Sequence, residues 1–193
     1  MIATPPAPSG IRIDEWHPER LPPESVARDV ASLGEILHAA VLGGAGVSFV
    51  VPFSIDEARD FWTARVVPAV EARQKRVLVA RDGARIVGTV QIDLPWPPNQ
   101  PHRAEVGKML VRPEARRRGI GRALMLAVED LARADGRTLL TLDTVTGSHA
   151  EALYRSLGYV VIGVIPRFAL KSLAPELEPA TFMYKELTPA GPA

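Results

Sequence analysis

The stretch KMLVRPEARRRGIGRALMLA at residues 108–127 constrains this chain more than any other. Met109, Leu110 and Val111 read as the end of a strand. A Pro-containing turn follows, then Arg116, Arg117, Arg118, Gly119, Gly121 and Arg122, and then a run of good helix formers. Strand, loop and helix start in immediate succession require a sheet with a helix laid on it. Glycines at the turn leave the backbone uncovered where the helix begins, so amides without intrahelical partners converge there and the helix dipole adds positive charge. Four arginines surround the spot, and an anion of pyrophosphate shape suits it. An ordinary glycine turn with a solvated basic face is the competing reading. Two better-known phosphate loops do not fit. A dinucleotide fingerprint starting at Gly119 needs Gly or Ala where Leu124 stands, and a Walker loop needs Gly-Lys-Ser/Thr, which is absent.

The remaining chain supplies elements for such a sheet. Ile11, Ile13 and Trp16 suggest a first strand. Pro22, Pro23, Glu24 and Ser25 open a helix whose apolar positions, Val26, Val30, Leu33, Ile36, Leu37 and Val41, recur at helical steps. Gly43, Gly44, Ala45 and Gly46 end it, either as a plain cap and turn or as a loop able to approach a ligand. Ser54 or Asp56 caps a second helix through Phe61, Trp62, Val66, Val67 and Val70. Residues 77–80 and 86–92 form a hairpin about Arg81, Asp82 and Gly83. The proline-rich residues 94–102 cannot be a central strand and are expected as an ordered loop bordering the acceptor mouth of any site. Residues 104–111 form the next strand, with Gly107 placed for a bulge.

Strand 139–142, helix 150–157 and strands 159–165 and 181–187 complete the series. The last two are expected to flank a loop containing Pro166, Lys171, Pro175 and Pro179. The order β-α-α-β-β-β-α-β-α-β-β predicts an α/β fold with a mixed sheet and helices on both faces. Residues 1–10 and 189–193 read as flexible tails around a single domain at 11–188.

With 193 residues, 47% hydrophobic and 23% charged, the chain buries one good core. A formal net charge of +1 gives no case for nucleic acid or an acidic membrane. There is no Cys, which excludes disulfides, thiolate metal sites and a cysteinyl acyl-enzyme. No apolar run approaches the ~20 residues of a membrane span. The first ten residues lack the pattern of a signal peptide, so the cytoplasm is the expected location.

Arg116-x-x-Gly119-x-Gly121 after a strand ending Val111, Arg112, Pro113, followed by Ala150, Leu153, Tyr154, Gly158 and Tyr159, resembles the GNAT (GCN5-related N-acetyltransferase) superfamily. The resemblance implies a mostly antiparallel sheet with a splayed strand pair forming an acetyl-CoA groove. It implies cofactor contacts from Met109, Leu110, Val111, Arg116, Arg117, Arg118, Gly119, Ile120, Gly121 and Arg122. Many members carry Asn where Gly147 stands, so that contact is missing or comes from Ser148. Tyr154 occupies the position of the residue that protonates the departing thiolate. The chemistry agrees independently: a thiol with pKa near ~8.5 leaves more easily with a donor in reach. Segments at Arg103, Ala104 and Glu105, at Leu142, Asp143 and Thr144, and at Gly43 and Gly44 resemble the tabtoxin-resistance branch, which acetylates a β-lactam amino acid.

An ammonium must lose a proton before it attacks a thioester. Asp143, at a strand end, and Glu105, on the strand beside the thioester, are the candidates, with water as a relay. Asp143 also reads as a helix cap, and Glu105 as the ion-pair partner of Arg103. His149 is disfavoured at a helix N-terminus. The expected activity is N-acetyl transfer from acetyl-CoA to a small-molecule amine by direct attack. A protein or peptide acetyltransferase and a non-catalytic CoA-binding module are the alternatives. Neither a metal nor nucleic acid nor a membrane partner is expected, and the molecule is expected to be a monomer or homodimer.

Overall fold

The computed structural model describes residues 8–95 and 97–188. Seven strands form one sheet in the order β1-β2-β3-β4-β5-β7-β6. They are β1 (Ile11–Glu15), β2 (Lys75–Asp82), β3 (Arg85–Asp93), β4 (Arg103–Val111), β5 (Leu139–Val145), β6 (Val160–Leu170) and β7 (Leu177–Glu186). All neighbours are antiparallel except β4 and β5. The mixed, mostly antiparallel sheet expected from the sequence is therefore present. The tail at 1–7, Trp96 and residues 189–193 lie outside the described residues.

Alternation along the strands assigns one core to each face. Leu78, Ala80, Val90, Ile92, Leu140 and Leu142 pack beneath α4 (Ile120–Ala134) and α5 (His149–Ser156). On the other face, Val77, Val79, Ile86 and Leu110 pack beneath α1 (Pro23–Leu42) and α2 (Ile55–Phe61), together with the fully buried Leu33, Leu37 and Trp62. Each such side chain contributes about 1.5–3 kcal/mol by leaving water. Ser54, not Asp56, caps α2: its hydroxyl accepts from the Glu57 amide at 3.1 Å, and Glu57 reaches back to the Ser54 amide at 2.7 Å. The second helix is not continuous. A π-turn (Trp62–Val66) separates α2 from α3 (Val67–Glu71) just before Pro68, whose ring and missing N–H would break an α-helical ladder.

The splayed strand pair implied by the resemblance is present in the functional half, and two departures from expectation accompany it. β4 and β5 pair only where Arg103, Ala104 and Glu105 meet Leu139, Leu140 and Thr141, and they part beyond that point. β4 is also bulged against β3, between the pairs Gln91 with Gly107 and Thr89 with Leu110. The residue in the left-handed region is Lys108 (φ 49°) rather than Gly107. The second departure is at the C-terminal hairpin, where the expected long loop is instead strand. β6 passes through Pro166 and β7 through Pro179, leaving only residues 171–176 as the turn. Pro166 is tolerated because β6 is the sheet edge and its register shifts between Ile165 and Ala169, so no ladder donor is missing there.

Candidate active site

The site begins where β4 ends. The buried Arg112 guanidinium donates to the Ile86 carbonyl at 2.8 Å and the Ser32 carbonyl at 3.2 Å, and pairs with Glu35 at 2.8 Å. That fixes the strand exit before a short turn (Pro113–Ala115). Arg117 (φ 62°) and Gly119 (φ 80°) then take left-handed backbone and swing the chain into α4. The amides of residues 117–122 have no hydrogen-bond acceptor among the described residues. Consecutive free N–H groups in such a turn, at the positive end of a 15-residue helix, form a concave anion seat.

The arginines are less free than the sequence suggests. Arg116 donates to the Val111 carbonyl at 3.2 Å, Arg118 pairs with Asp82 at 3.0 Å, and Arg122 donates to the Ser156 hydroxyl at 2.6 Å. Arg117 has no side-chain partner among the described residues. Gly121 faces Met109 and Leu153, each 3.4 Å from where a Cβ would stand. Ile120 and Leu110 are buried in opposite cores, so only their backbone is available to a ligand. The hydroxyl of Ser148 caps α5, accepting from the Glu151 amide at 3.2 Å, and lies 3.2 Å from the Thr144 hydroxyl.

Beyond their three paired positions, β4 and β5 separate. Tyr154, on α5, packs into the core on one face, and its hydroxyl has no hydrogen-bond partner among the described residues. Asp143, on β5, faces the other way, next after the inward Leu142. Burial, with the charge of Asp143 added, pushes the Tyr154 phenol above its ordinary range. Burial and then Glu105 raise the Asp143 carboxyl, against the pull of Lys108. Glu105, exposed like Asp143, is paired with Arg103 at 3.3 Å, while Arg103 also holds Thr141 at 2.9 Å and Gln100 at 2.9 Å. His149 is exposed at the start of α5 and lines no pocket with Asp143.

Asp143 opens onto a pocket of about 300 Å³ lined by Ser48, Phe49, Val145, Phe168 and Glu178 among others. Its walls are the loop after α1 and the β6–β7 hairpin. Gly46 passes so close to Val145 that a Cβ there would overlap the Val145 side chain, at 2.4 Å. The glycine-rich loop is thus a wall of the pocket as well as a helix end. Lys108, thrown inward by its bulge, donates to the Ser48 hydroxyl at 3.2 Å and lies about 6 Å from the ring centres of Phe49 (6.0 Å) and Phe61 (5.9 Å). Burial, and secondarily Lys75, depresses its pKa against the pull of Asp93 and Asp143.

Sequence reasoning missed Lys108, Glu178, Phe49 and Phe168. Only the position of Lys108, next to a glycine marked for a bulge, offered any signal. The proline-rich segment was expected at the acceptor mouth; none of its described residues lines this pocket, and Leu94 instead lines a separate one with Arg137. The cap reading of Asp143 is also corrected, because Ser148 caps α5. Among the described residues there is no group of three potential metal ligands, and no helix long and apolar enough to cross a membrane.

Comparison with known proteins places this geometry in context. The model of the acetyltransferase (GNAT) family matches residues 45–159, which include the anion seat, Asp143 and Tyr154. An Azospirillum brasilense protein named as an N-acetyltransferase of the hisH–hisA intergenic region is 33% identical over 118 residues, 60% of this chain and 67% of that protein. The IAA acetyltransferase of the same organism is 40% identical over 85 residues, 44% of this chain and 54% of that protein. The fold resembles that of YncA from Salmonella typhimurium, solved with its cofactor acetyl-CoA. The TM-score is 0.72 at 21% identity, over 95% of this chain and 97% of that one.

Proposed function

The chain belongs to the acetyltransferase (GNAT) family, and from that premise we propose that it moves the acetyl group of acetyl-CoA to a small primary amine, which attacks the thioester directly in a ternary complex. The observation that carries this reading is that β4 and β5 part between a turn of free amides on the α4 side and a carboxylate-bearing pocket on the opposite side. Donor and acceptor can then meet from opposite faces of the sheet. The amides of residues 117–122 suit the pyrophosphate, with the Arg117 side chain free to add charge. Acetyl-CoA supplies the activated acyl group.

The pocket volume suits a small molecule rather than a folded protein. Asp143 and Glu178 attract an ammonium, and Phe49 and Phe168 offer apolar walls. The sequence segments that resemble the tabtoxin-resistance branch support an amino-acid-like acceptor, with Lys108 and Ser48 available for its carboxylate. As the amine approaches, its proton passes to Asp143, directly or through water. A raised pKa makes that carboxylate a better base than one at the ordinary value. The amine lone pair then forms the C–N bond as the C–S bond breaks, and the nitrogen's second proton leaves to solvent as the amide forms. A phenol held above its ordinary pKa is a weaker acid than the departing thiol. Tyr154 therefore donates a hydrogen bond to the developing thiolate, and the sulfur takes its proton from solvent. With no Cys in the chain, a cysteinyl acyl-enzyme has no nucleophile.

The test combines acetyl-CoA titration by calorimetry with free-thiol release across a panel of primary amines and amino-acid analogues. Thiol release matched by N-acetylated product, with no acetylated protein accumulating in the absence of amine, is expected. Acetyl-CoA binding without amine-dependent release, or a stable acetyl-protein that later transfers, would overturn the reading.

A further inference from the structure

The pocket that holds Asp143 carries a second carboxylate. Among its described lining residues only Asp143 and Glu178 are charged, and both are acidic. In a chain of formal net charge +1, with 23 Lys and Arg, that is a local arrangement and not a by-product of composition. Sheet register fixes where the two lie. β5 and β7 pair Asp143 with Phe182 and Val145 with Ala180, so the alternate residues Glu178, Ala180 and Phe182 share the face of Asp143 and Val145. A Cβ on Gly46 would overlap the Val145 side chain and stand 3.3 Å from Glu178 Oε1, so the Glu178 carboxylate reaches back to the level of Val145. Val145 is two residues beyond Asp143, about 7 Å along the strand. The two carboxylates therefore mark separate seats within the span of one small molecule. The surface between them is apolar, made by Val145, Ala180 and Phe168, whose ring packs edge-on against Phe182 at 5.1 Å.

Glu178 is partly buried, yet its carboxylate accepts no hydrogen bond and forms no ion pair among the described residues. Lys171 is held by Glu176 and feels the charge of Glu178 only secondarily. A carboxylate drawn partly out of water without a partner loses hydration that nothing in the protein restores. Asp143 alone suffices for the reacting ammonium, which leaves Glu178 for a second cation. On the Asp143 side, Lys108 and Ser48 supply a positive charge and a hydroxyl. A plain diamine meets that positive charge unfavourably. An amino acid meets it with its own carboxylate.

We propose that the acceptor is a cationic amino acid of the diamino type, with its α-ammonium at Asp143, its carboxylate at Lys108 and Ser48, and its side-chain ammonium at Glu178. Glu178 is then the residue that selects among amines. The side-chain methylenes lie against Val145 and Ala180, and Phe168 offers an aromatic ring to the cation. The inference rests on reading this pocket as the acceptor site.

Matched pairs of acceptors test this: lysine against norleucine, and ornithine against norvaline, each pair differing only in the side-chain ammonium. Thiol release is read over a range of each amino acid at saturating acetyl-CoA. The cationic member should be preferred by ~10-fold or more in kcat/KM, as a charge-assisted hydrogen bond to a partly buried carboxylate provides. In Glu178→Gln most of that preference should disappear, the loss appearing in KM with kcat retained, because the contact is made equally before and during transfer. Glu178→Asp, which keeps the charge, should retain part of it. Equal efficiency within each pair in the parent overturns the proposal, as does a preference that survives in a natively folded Glu178→Gln protein. If that variant fails to fold, the salt dependence of the parent decides. The preference should shrink as ionic strength rises, and a salt-independent preference overturns the proposal. Thiol release without preference leaves acetyl transfer standing and removes only the second seat, whereas no release with any primary amine removes both.

Discussion

Asp143 and Tyr154 came from spacing within two adjacent elements, and local sequence is informative at that range. Glu178 and Phe168 were illegible because the hairpin that carries them reaches Asp143 only through sheet pairing. The raised pKa of Asp143 has two consequences. Burial first, then Glu105, makes the folded protein retain a proton that the unfolded chain has released. Stability from that proton is full below the ordinary carboxylate pKa and is lost as pH rises through the folded value. Asp143→Asn should therefore melt higher than the parent at neutral pH, with the advantage gone in acid. A lower melting temperature at neutral pH would refute the assignment. In activity, the acid limb of the parent's pH–rate profile should lie above the ordinary carboxylate range and disappear in the Asn protein. If Glu105→Gln loses the limb instead, the base is Glu105. Tyr154→Phe should lower kcat by ~10²-fold with acetyl-CoA affinity unchanged, since the hydrogen bond strengthens only as the sulfur becomes charged. Parent-like turnover would reduce Tyr154 to packing.

At the scale of elements, the turn from β4 into α4 was the most legible part of the chain, because it depends on residues that adjoin in sequence. The sequence pointed to uncovered amides ringed by arginine charge, and in the folded turn much of that charge is engaged elsewhere. Arg116, Arg118 and Arg122 are held by Val111, Asp82 and Ser156, and the free amides remain. Gly119 holds φ 80°, which an L-residue with a Cβ adopts at a cost of roughly 1–2 kcal/mol. Gly119→Ala should lose about that much stability in urea denaturation and weaken acetyl-CoA binding in calorimetry. Single changes at Arg116 or Arg118 should weaken it less. Equal losses from all three substitutions would show that side-chain charge, and not amide geometry, holds the cofactor. The C-terminal hairpin misled in the opposite way: proline argues against a strand only where a ladder donor is required, and edge position is not visible in local sequence.

For the molecule as a whole, acetyl-CoA binding should be visible as stability. Ligand at a hundred times its dissociation constant adds about 2.7 kcal/mol, which in a chain of this size raises Tm by roughly 5–10 °C. No shift with acetyl-CoA, in protein that unfolds cooperatively, would remove the cofactor assignment. The family model stops at residue 159, before Phe168 and Glu178, so it leaves out the hairpin wall of the pocket. That division follows the physics of the chain. Hydrophobic periodicity, turn residues and the Arg/Gly loop act over a few neighbouring positions, and from them the sequence by itself determined the order of elements and the turn into α4, and singled out Asp143 and Tyr154 as candidates. Tertiary structure alone decided how far β4 and β5 separate, that Lys108 turns inward at the bulge, and that a distant hairpin walls the pocket with Phe168 and Glu178. It also decided that Val160, Ile162 and Val164 lie on a free edge instead of in the core. Each of these depends on which strands become neighbours, and that is set by burial summed over the whole sheet.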